Sequence, residues 1–257
     1  MLRARKNPGE FLEYRRLERM PRFMPGVTTL LGSAIEFTDA PSLIAAHQEI
    51  FRDRSYEFRP SSESPFIIDC GANIGLSVIF FKMLCPHARL LAFEPDPQLF
   101  AVLSRNVAGL GLGSVELRRA AIWTADGDAT FAAEGAHSGR LAQQSTAFPM
   151  LRVPTVRLRN LLEQQVDFLK IDVEGAECAV LDDCAGALDR VETMFIEYHS
   201  DVAQPQKLDR LLRTLSEAGF RYQLRQAFGS RHPYVDRPLL CGMDLQLDIH
   251  AYRETGR

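Results

Sequence analysis

No Cys-x-x-Cys pair occurs in the 257-residue sequence; its five cysteines, Cys70, Cys85, Cys178, Cys184 and Cys241, are scattered and odd in number. Zinc knuckles and disulfide scaffolds are thereby disfavoured, and a reducing, cytoplasmic setting is expected. Neither sign of charge is in excess. Thirty basic and 33 acidic side chains leave a net charge of −3, a poor basis for binding nucleic acid, whose affinity rests on neutralising phosphates. An Asn/Asp-Pro-Pro-aromatic motif and a basic stripe are absent as well. The longest apolar runs, around Ser77–Phe81 and Leu90–Phe93, fall far short of the ~20 residues that a membrane span needs. The N-terminus, Met-Leu-Arg-Ala-Arg-Lys, builds no signal-peptide core. There is no internal repeat. The dinucleotide fingerprint G-x-G-x-x-G is missing too, which weighs against a nicotinamide-dependent oxidoreductase.

What remains is an ordinary globular composition, 46% hydrophobic and 25% charged. The first 60 residues read as an appendage, with the main domain over residues 61–257. An amphipathic helix is expected over residues 10–20, carrying Phe11, Leu12 and Leu17 on one side. Two β-prone pieces, Val27–Leu31 and Ala34–Phe37, flank Gly32. A further helix runs from Ser42 to Phe51, with Pro41 suited to its first turn and Asp39 to its cap. The Ser/Pro-rich stretch Arg59–Pro65 marks the boundary.

From Phe66 strands alternate with helices. Strands are expected at Phe66–Cys70, Arg89–Phe93, Val115–Ile122, Val166–Ile171 and Val191–Glu197. Helices fall at Ile74–Leu84, Pro97–Val107, Ala176–Leu188 and Leu208–Ala218. Phe220–Leu224 and Asp244–Ile249 alternate with period two, as an antiparallel pair does. Such alternation means an α/β fold with a mostly parallel sheet and helices on both faces. Ligands then bind beyond the carboxyl ends of the strands.

At the end of the first of these strands stands Asp69-Cys70-Gly71-Ala72-Asn73-Ile74-Gly75. Gly71 lets a ligand approach the backbone closely, yet the full set of pyrophosphate glycines is absent. Glu94 ends the next strand, where a carboxylate can accept both hydroxyls of a ribose in a fork. Together these features point to a nucleoside-type cofactor without a pyrophosphate.

Phe66–Gly75, Phe93-Glu-Pro-Asp-Pro97 and Asp167-Phe-Leu-Lys-Ile-Asp-Val-Glu-Gly-Ala-Glu177 resemble the FkbM-type methyltransferases that use S-adenosylmethionine (SAM). The resemblance implies a Rossmann-like class I methyltransferase fold, a seven-stranded sheet with an antiparallel last strand. It implies O-methylation of a sugar or natural-product scaffold, so the partner is a small-molecule or glycan acceptor. The alternatives are N- or carboxyl-methylation of a peptide or small molecule, or a catalytically silent SAM-binding protein. Carried over by position, Asp69, Gly71, Ala72, Asn73 and Gly75 hold the methionine end of SAM. Glu94 then holds the ribose, Asp96 helps to orient the adenosine, and Ala120 and Ala121 leave room for the adenine. Residues 125–152 match no pattern, so acceptor choice is expected over 135–150 and in the N-terminal appendage, which also offers a face for a homodimer.

A second constellation lies at the ends of the fourth and fifth strands. Asp172 and Glu174 follow Lys170, while Glu197 and His199 alternate onto one side of their strand. Two uses fit. His199 is a candidate general base for the acceptor, or Asp172, Glu197 and His199 ligate a cation such as Mg²⁺. A plain ion-paired cluster with Lys170 also explains them. His47 and His87 are expected on the surface, and His137 is a reserve candidate for the acceptor site.

Overall fold

In the computed structural model of the protein, which describes residues 8–133, 140–141 and 150–254, the chain opens on helix α1 (Pro8–Leu17). Strands β1 (Gly26–Thr28) and β2 (Ile35–Phe37) pair antiparallel. Helix α2 (Ala40–His47) starts where Asp39 accepts the Ser42 amide, with Pro41 in its first turn. A π-helical turn, Gln48–Arg52, extends it. Such turns are frequent at functional sites, and this one carries Glu49. His87 is exposed, but His47 is buried, correcting its expected surface position. Its Nδ1 shares a 2.6 Å hydrogen bond with the Tyr14 hydroxyl, because it falls on the inner face of α2.

Strand β3 (Phe66–Cys70) leads into helix α3 (Leu76–Leu84). Strand β4 (Arg89–Phe93), helix α4 (Pro97–Gly109) and strand β5 (Val115–Arg118) follow. Val115–Ile122, expected as one strand, is two. Ala120 turns its amide onto the Arg118 carbonyl at 3.0 Å, and β6 (Ala121–Trp123) leaves for another sheet. That sheet joins β6 to β7 (Gly127–Ala132), β8 (Arg140–Leu141) and β9 (Met150–Arg157) in the order β6-β9-β7-β8. No sequence pattern signals β7, β8 or β9. His137 and most of the 135–150 segment lie outside the described residues.

The rest of the chain supplies β10 (Val166–Ile171), α5 (Glu177–Cys184), β11 (Val191–Asp201) and α6 (Leu208–Glu217). Strands β12 (Arg221–Gly229) and β13 (Met243–Tyr252) close it. The main sheet has seven strands in the order β12-β13-β11-β10-β3-β4-β5. Strand β13 runs antiparallel to both its neighbours, and the other pairings at β10, β3 and β4 are parallel.

Strand alternation assigns the two faces. Ile68, Cys70, Leu169 and Ile171 point into one core with Val180, Leu181 and Leu215 of α5 and α6. Ile67 and Phe168 point into the other, with Val78, Phe81 and Leu103 of α3 and α4. Leu17, Ile35, Phe37, Leu43, Tyr56 and Phe58 pack into this second core as well, so part of the described N-terminal segment is buried against the sheet. Phe11, Leu12, Phe23 and Met24 of the same segment are exposed. Among the described residues no helix is long and apolar enough to cross a membrane.

Candidate active site

The carboxyl ends of β3, β4 and β10 open into a cavity of about 430 Å³, within the usual range for small-molecule sites. Its floor is the turn after β3. Gly71 has φ +100°, and a Cβ built there would land on the carbonyl oxygen of Asp172, so only glycine lets the β3 turn pass beneath the β10 end. Gly75 caps α3 in the left-handed region at φ +95°. Asn73 shares that region at φ 50°, which is costly for a residue with a Cβ. The Glu94 carboxylate bridges the two loops: Oε2 accepts the Asn73 amide and Oε1 the Asp96 amide, both at 2.9 Å. Burial pushes the Glu94 carboxyl up to about 8, with the Asp96 carboxylate adding to the rise and the two amides opposing it.

Gly71, Ala72, Asn73, Glu94, Ala120 and Ala121 all line the cavity. Asp69, Gly75 and Asp96, expected to touch SAM, do not line it. Each supports the crevice from behind. Asp69 is fully buried, accepting the Ser77 hydroxyl and facing Lys170 Nζ at 3.6 Å. Asp96 is the N-cap of α4, accepting the amides of Gln98 and Leu99. Its placement beside Glu94 reflects helix initiation, which the Asp-Pro sequence signals.

Lys170 organises the other end. It pairs with Asp69 across the β3–β10 register, donates to the Gly71 carbonyl at 2.8 Å and reaches Asp172 Oδ2 at 2.9 Å. Burial works against its charge, but Asp172 and Asp69 hold its pKa above the ordinary lysine value. Asp172, Glu174 and Glu197 present themselves to the cavity. His199 does not line this cavity; it lies behind Glu174 and Glu197, its Nε2 3.5 and 3.3 Å from their carboxylates, and its Nδ1 3.0 Å from Glu177. Burial disfavours the imidazolium, yet Glu174 and Glu177 overcome it and lift the pKa well above 6.5. His199, the expected general base, thus stands one side chain back from the cavity, with Glu174 and Glu197 between. The expected metal triad changes too. Asp172 and His199 converge with Glu174, while Glu197 groups with Glu49 and Asp248.

Glu49 had no signal in the sequence: it sits mid-helix in a segment without a motif. The π turn places it on the cavity wall with Tyr56, whose hydroxyl donates to it at 3.2 Å. Burial, then Glu197, Asp248 and Asp172, push its carboxyl up to about 8. Burial and Glu197 likewise raise Asp248 to about 7, against the pull of Arg225. Ala227, Phe228, Leu240 and Gln246 of the β12–β13 hairpin complete this wall.

A sheet of this order, with its only antiparallel strand next to the edge and a nucleoside-sized crevice at the β3 and β4 tips, is the class I methyltransferase fold. Residues 69–222, more than half of the chain, match the Methyltransferase FkbM domain, and the chain belongs to that family. It is 29% identical to Methyltransferase 1 of Beauveria bassiana over 161 residues, 52% of this chain and 64% of that protein's length. With the hexuronic acid methyltransferase AglP of Haloferax volcanii it shares 28% over 206 residues, 73% of this chain and 80% of the other. The crystal structure of Methyltransferase FkbM from Methylobacillus flagellatus has the same fold. The TM-score is 0.50 at 16% identity, covering 93% of this chain and 58% of that one.

Proposed function

We propose that the chain transfers a methyl group from SAM to a hydroxyl of a sugar or natural-product scaffold. The observation that carries this reading is a single cavity joining a nucleoside end, Glu94 with Ala120 and Ala121, to an acid-lined end, Asp172, Glu197 and Glu49. The residues fit SAM: Gly71 leaves the backbone open, and Glu94 has carboxylate lone pairs for a ribose diol. Bound SAM supplies an electrophilic methyl on a sulfonium, with no phosphate to demand further glycines. Asp172, fixed by Lys170, orients the region where donor and acceptor meet. Glu49 and Glu197 form the acceptor wall and share protons with each other and with Asp248 buried behind them. Glu49 takes the hydroxyl proton, its raised proton affinity matching it to a base working near neutrality. The name of the hexuronic acid relative supports a sugar acceptor.

The test is labelled methyl transfer from SAM onto panels of sugars, polyketides, amines and carboxylic acids. Transfer to a hydroxyl supports the reading. Transfer confined to amines or carboxylic acids replaces it, and SAM binding with no transfer to any panel leaves a binding protein.

A further inference from the structure

We infer that Asp172, Glu174 and His199 form a binding site for a divalent cation of the Mn²⁺ type, bordering the cavity. One ligand atom from each of the three lies within 4.8 Å of those of the other two. Proximity of acids alone would mean little. The imidazole supplies the second, independent observation. His199 is buried, and its Nε2, 3.5 Å from Glu174 Oε2 and 3.3 Å from Glu197 Oε1, meets neither at hydrogen-bond geometry; Glu174 Oε2 has no hydrogen-bond partner either. Two bare buried polar atoms facing each other are costly unless something sits between them.

The orientation of the ring favours a cation. Nδ1 lies 3.0 Å from Glu177 Oε1, and Glu177 is itself fixed by the Gly175 amide at 2.9 Å. A carboxylate accepts, so Nδ1 carries a hydrogen, and Nε2 is the nitrogen that a cation would engage, displacing any proton held there. An imidazole steered by a carboxylate on one nitrogen, with the other nitrogen bare, is the usual arrangement of metal-ligating histidines. Charge points the same way. Asp172, Glu174, Glu177 and Glu197 bring four carboxyl groups to this corner, and Lys170 is the ammonium that touches one of them.

One imidazole nitrogen with two carboxylate oxygens suits Mn²⁺ or Fe²⁺ better than Mg²⁺, which prefers oxygen donors throughout. The side of the site formed by Asp172 and Glu174 belongs to the cavity wall, whereas His199 does not. Glu174 and His199 also line a second hollow beside Tyr198 and Lys207, so the site lies between the two. The site stands on these side chains and holds whether or not the acceptor is a sugar.

Mn²⁺ titration of the purified full chain, followed by the loss of the free-ion paramagnetic resonance signal, tests the inference. One ion should bind with micromolar affinity, and pulsed spectra of the bound ion should carry the modulation of a coordinated imidazole nitrogen. Glu174→Gln and His199→Asn should each weaken binding at least tenfold. Glu177→Gln, one bond further out, should cost about 10–100-fold. Glu174→Gln preserves shape, so it decides the matter if the histidine variant does not fold. No binding below millimolar Mn²⁺, binding unchanged in Glu174→Gln, or a bound ion without the nitrogen modulation overturns the site. SAM binding measured on the same samples separates the two readings: SAM without Mn²⁺ refutes only the metal, and Mn²⁺ without SAM refutes only the methyltransferase reading.

Discussion

Glu94 Oε2 accepts the backbone amide of Asn73 at 2.9 Å, so one carboxylate ties the tip of β4 to the glycine turn that follows β3. The same group that is to hold the ribose thus also fixes the loop under the methionine end. A hydrogen bond to a charged group is worth ~1.5–3 kcal/mol. Near pH 9, where this carboxyl is ionised, Glu94→Ala should therefore weaken SAM binding roughly 10–150-fold, as read by calorimetry. An unchanged affinity would remove Glu94 from the cofactor site.

The raised pKa of Glu94 gives that binding a pH dependence. A carboxyl titrating at about 8 is mostly protonated near pH 7 and mostly ionised near pH 9. The ribose hydroxyls need an acceptor, so SAM affinity should rise about tenfold over that interval. Stability of the unliganded protein moves the other way. The folded chain holds this proton more tightly than the unfolded one, so the contribution is complete below the ordinary value of 4.5 and is lost as pH climbs through about 8. Glu94→Gln should flatten the SAM profile; a slope that persists in that variant assigns it to another group.

The strands of the main sheet were legible because they are short, apolar and bounded by turn residues: β3, β4 and β10 lie where their patterns place them. Gly71 and Glu94 were legible because a strand tip leaves few other reasons for a glycine and an acid at those positions. Three things were not. Val115–Ile122 has apolar residues on both sides of its break and no Gly or Pro at it, so the sequence could not show the chain changing sheets at Arg119. Asp69 and Asp96 sit within the motif but do not line the cavity, as the register of β3 against β10 and the cap of α4 reveal. Glu49 reaches the cavity by a long-range packing of the N-terminal segment on the sheet, which leaves no local trace.

The glycine turn yields a graded prediction. A Cβ on Gly71 meets the backbone oxygen of Asp172, which cannot yield because the Asp172 amide is bonded to the Cys70 carbonyl at 3.0 Å. A Cβ on Gly75 meets Cδ1 of Leu103 at 2.7 Å, the mobile end of a side chain. Both also pay ~1–2 kcal/mol for a left-handed residue. In urea melts Gly71→Ala should lose clearly more stability than Gly75→Ala, and it should abolish SAM binding in whatever remains folded. The reverse order would mean that the β10 end, not the turn, gives way.

Glu49 is the sharpest test of the acceptor side. Truncating the first 40 residues would strip Leu17, Ile35 and Phe37 from the core, so a loss of activity after truncation would report unfolding as readily as chemistry. Glu49→Gln avoids this, keeping the shape and the hydrogen bond that Tyr56 donates. It removes a carboxyl titrating at about 8 that lies with Glu197 on the cavity wall, with Asp248 buried behind them. Only the ionised form can take a proton, so the wild-type rate should rise with pH to a plateau above about 8. The limb belongs to the acid cluster as a whole, since neighbouring carboxyls share their protons. A positioned base contributes about 10²–10⁴-fold; kcat should fall by that order in Glu49→Gln, with SAM affinity within a few-fold of wild type. Cofactor affinity lost together with kcat would place Glu49 at the donor end. If kcat survives and the limb persists, the proton goes instead to Glu197, the other carboxylate of the cluster that lines the cavity, and Glu197→Gln should then produce the loss.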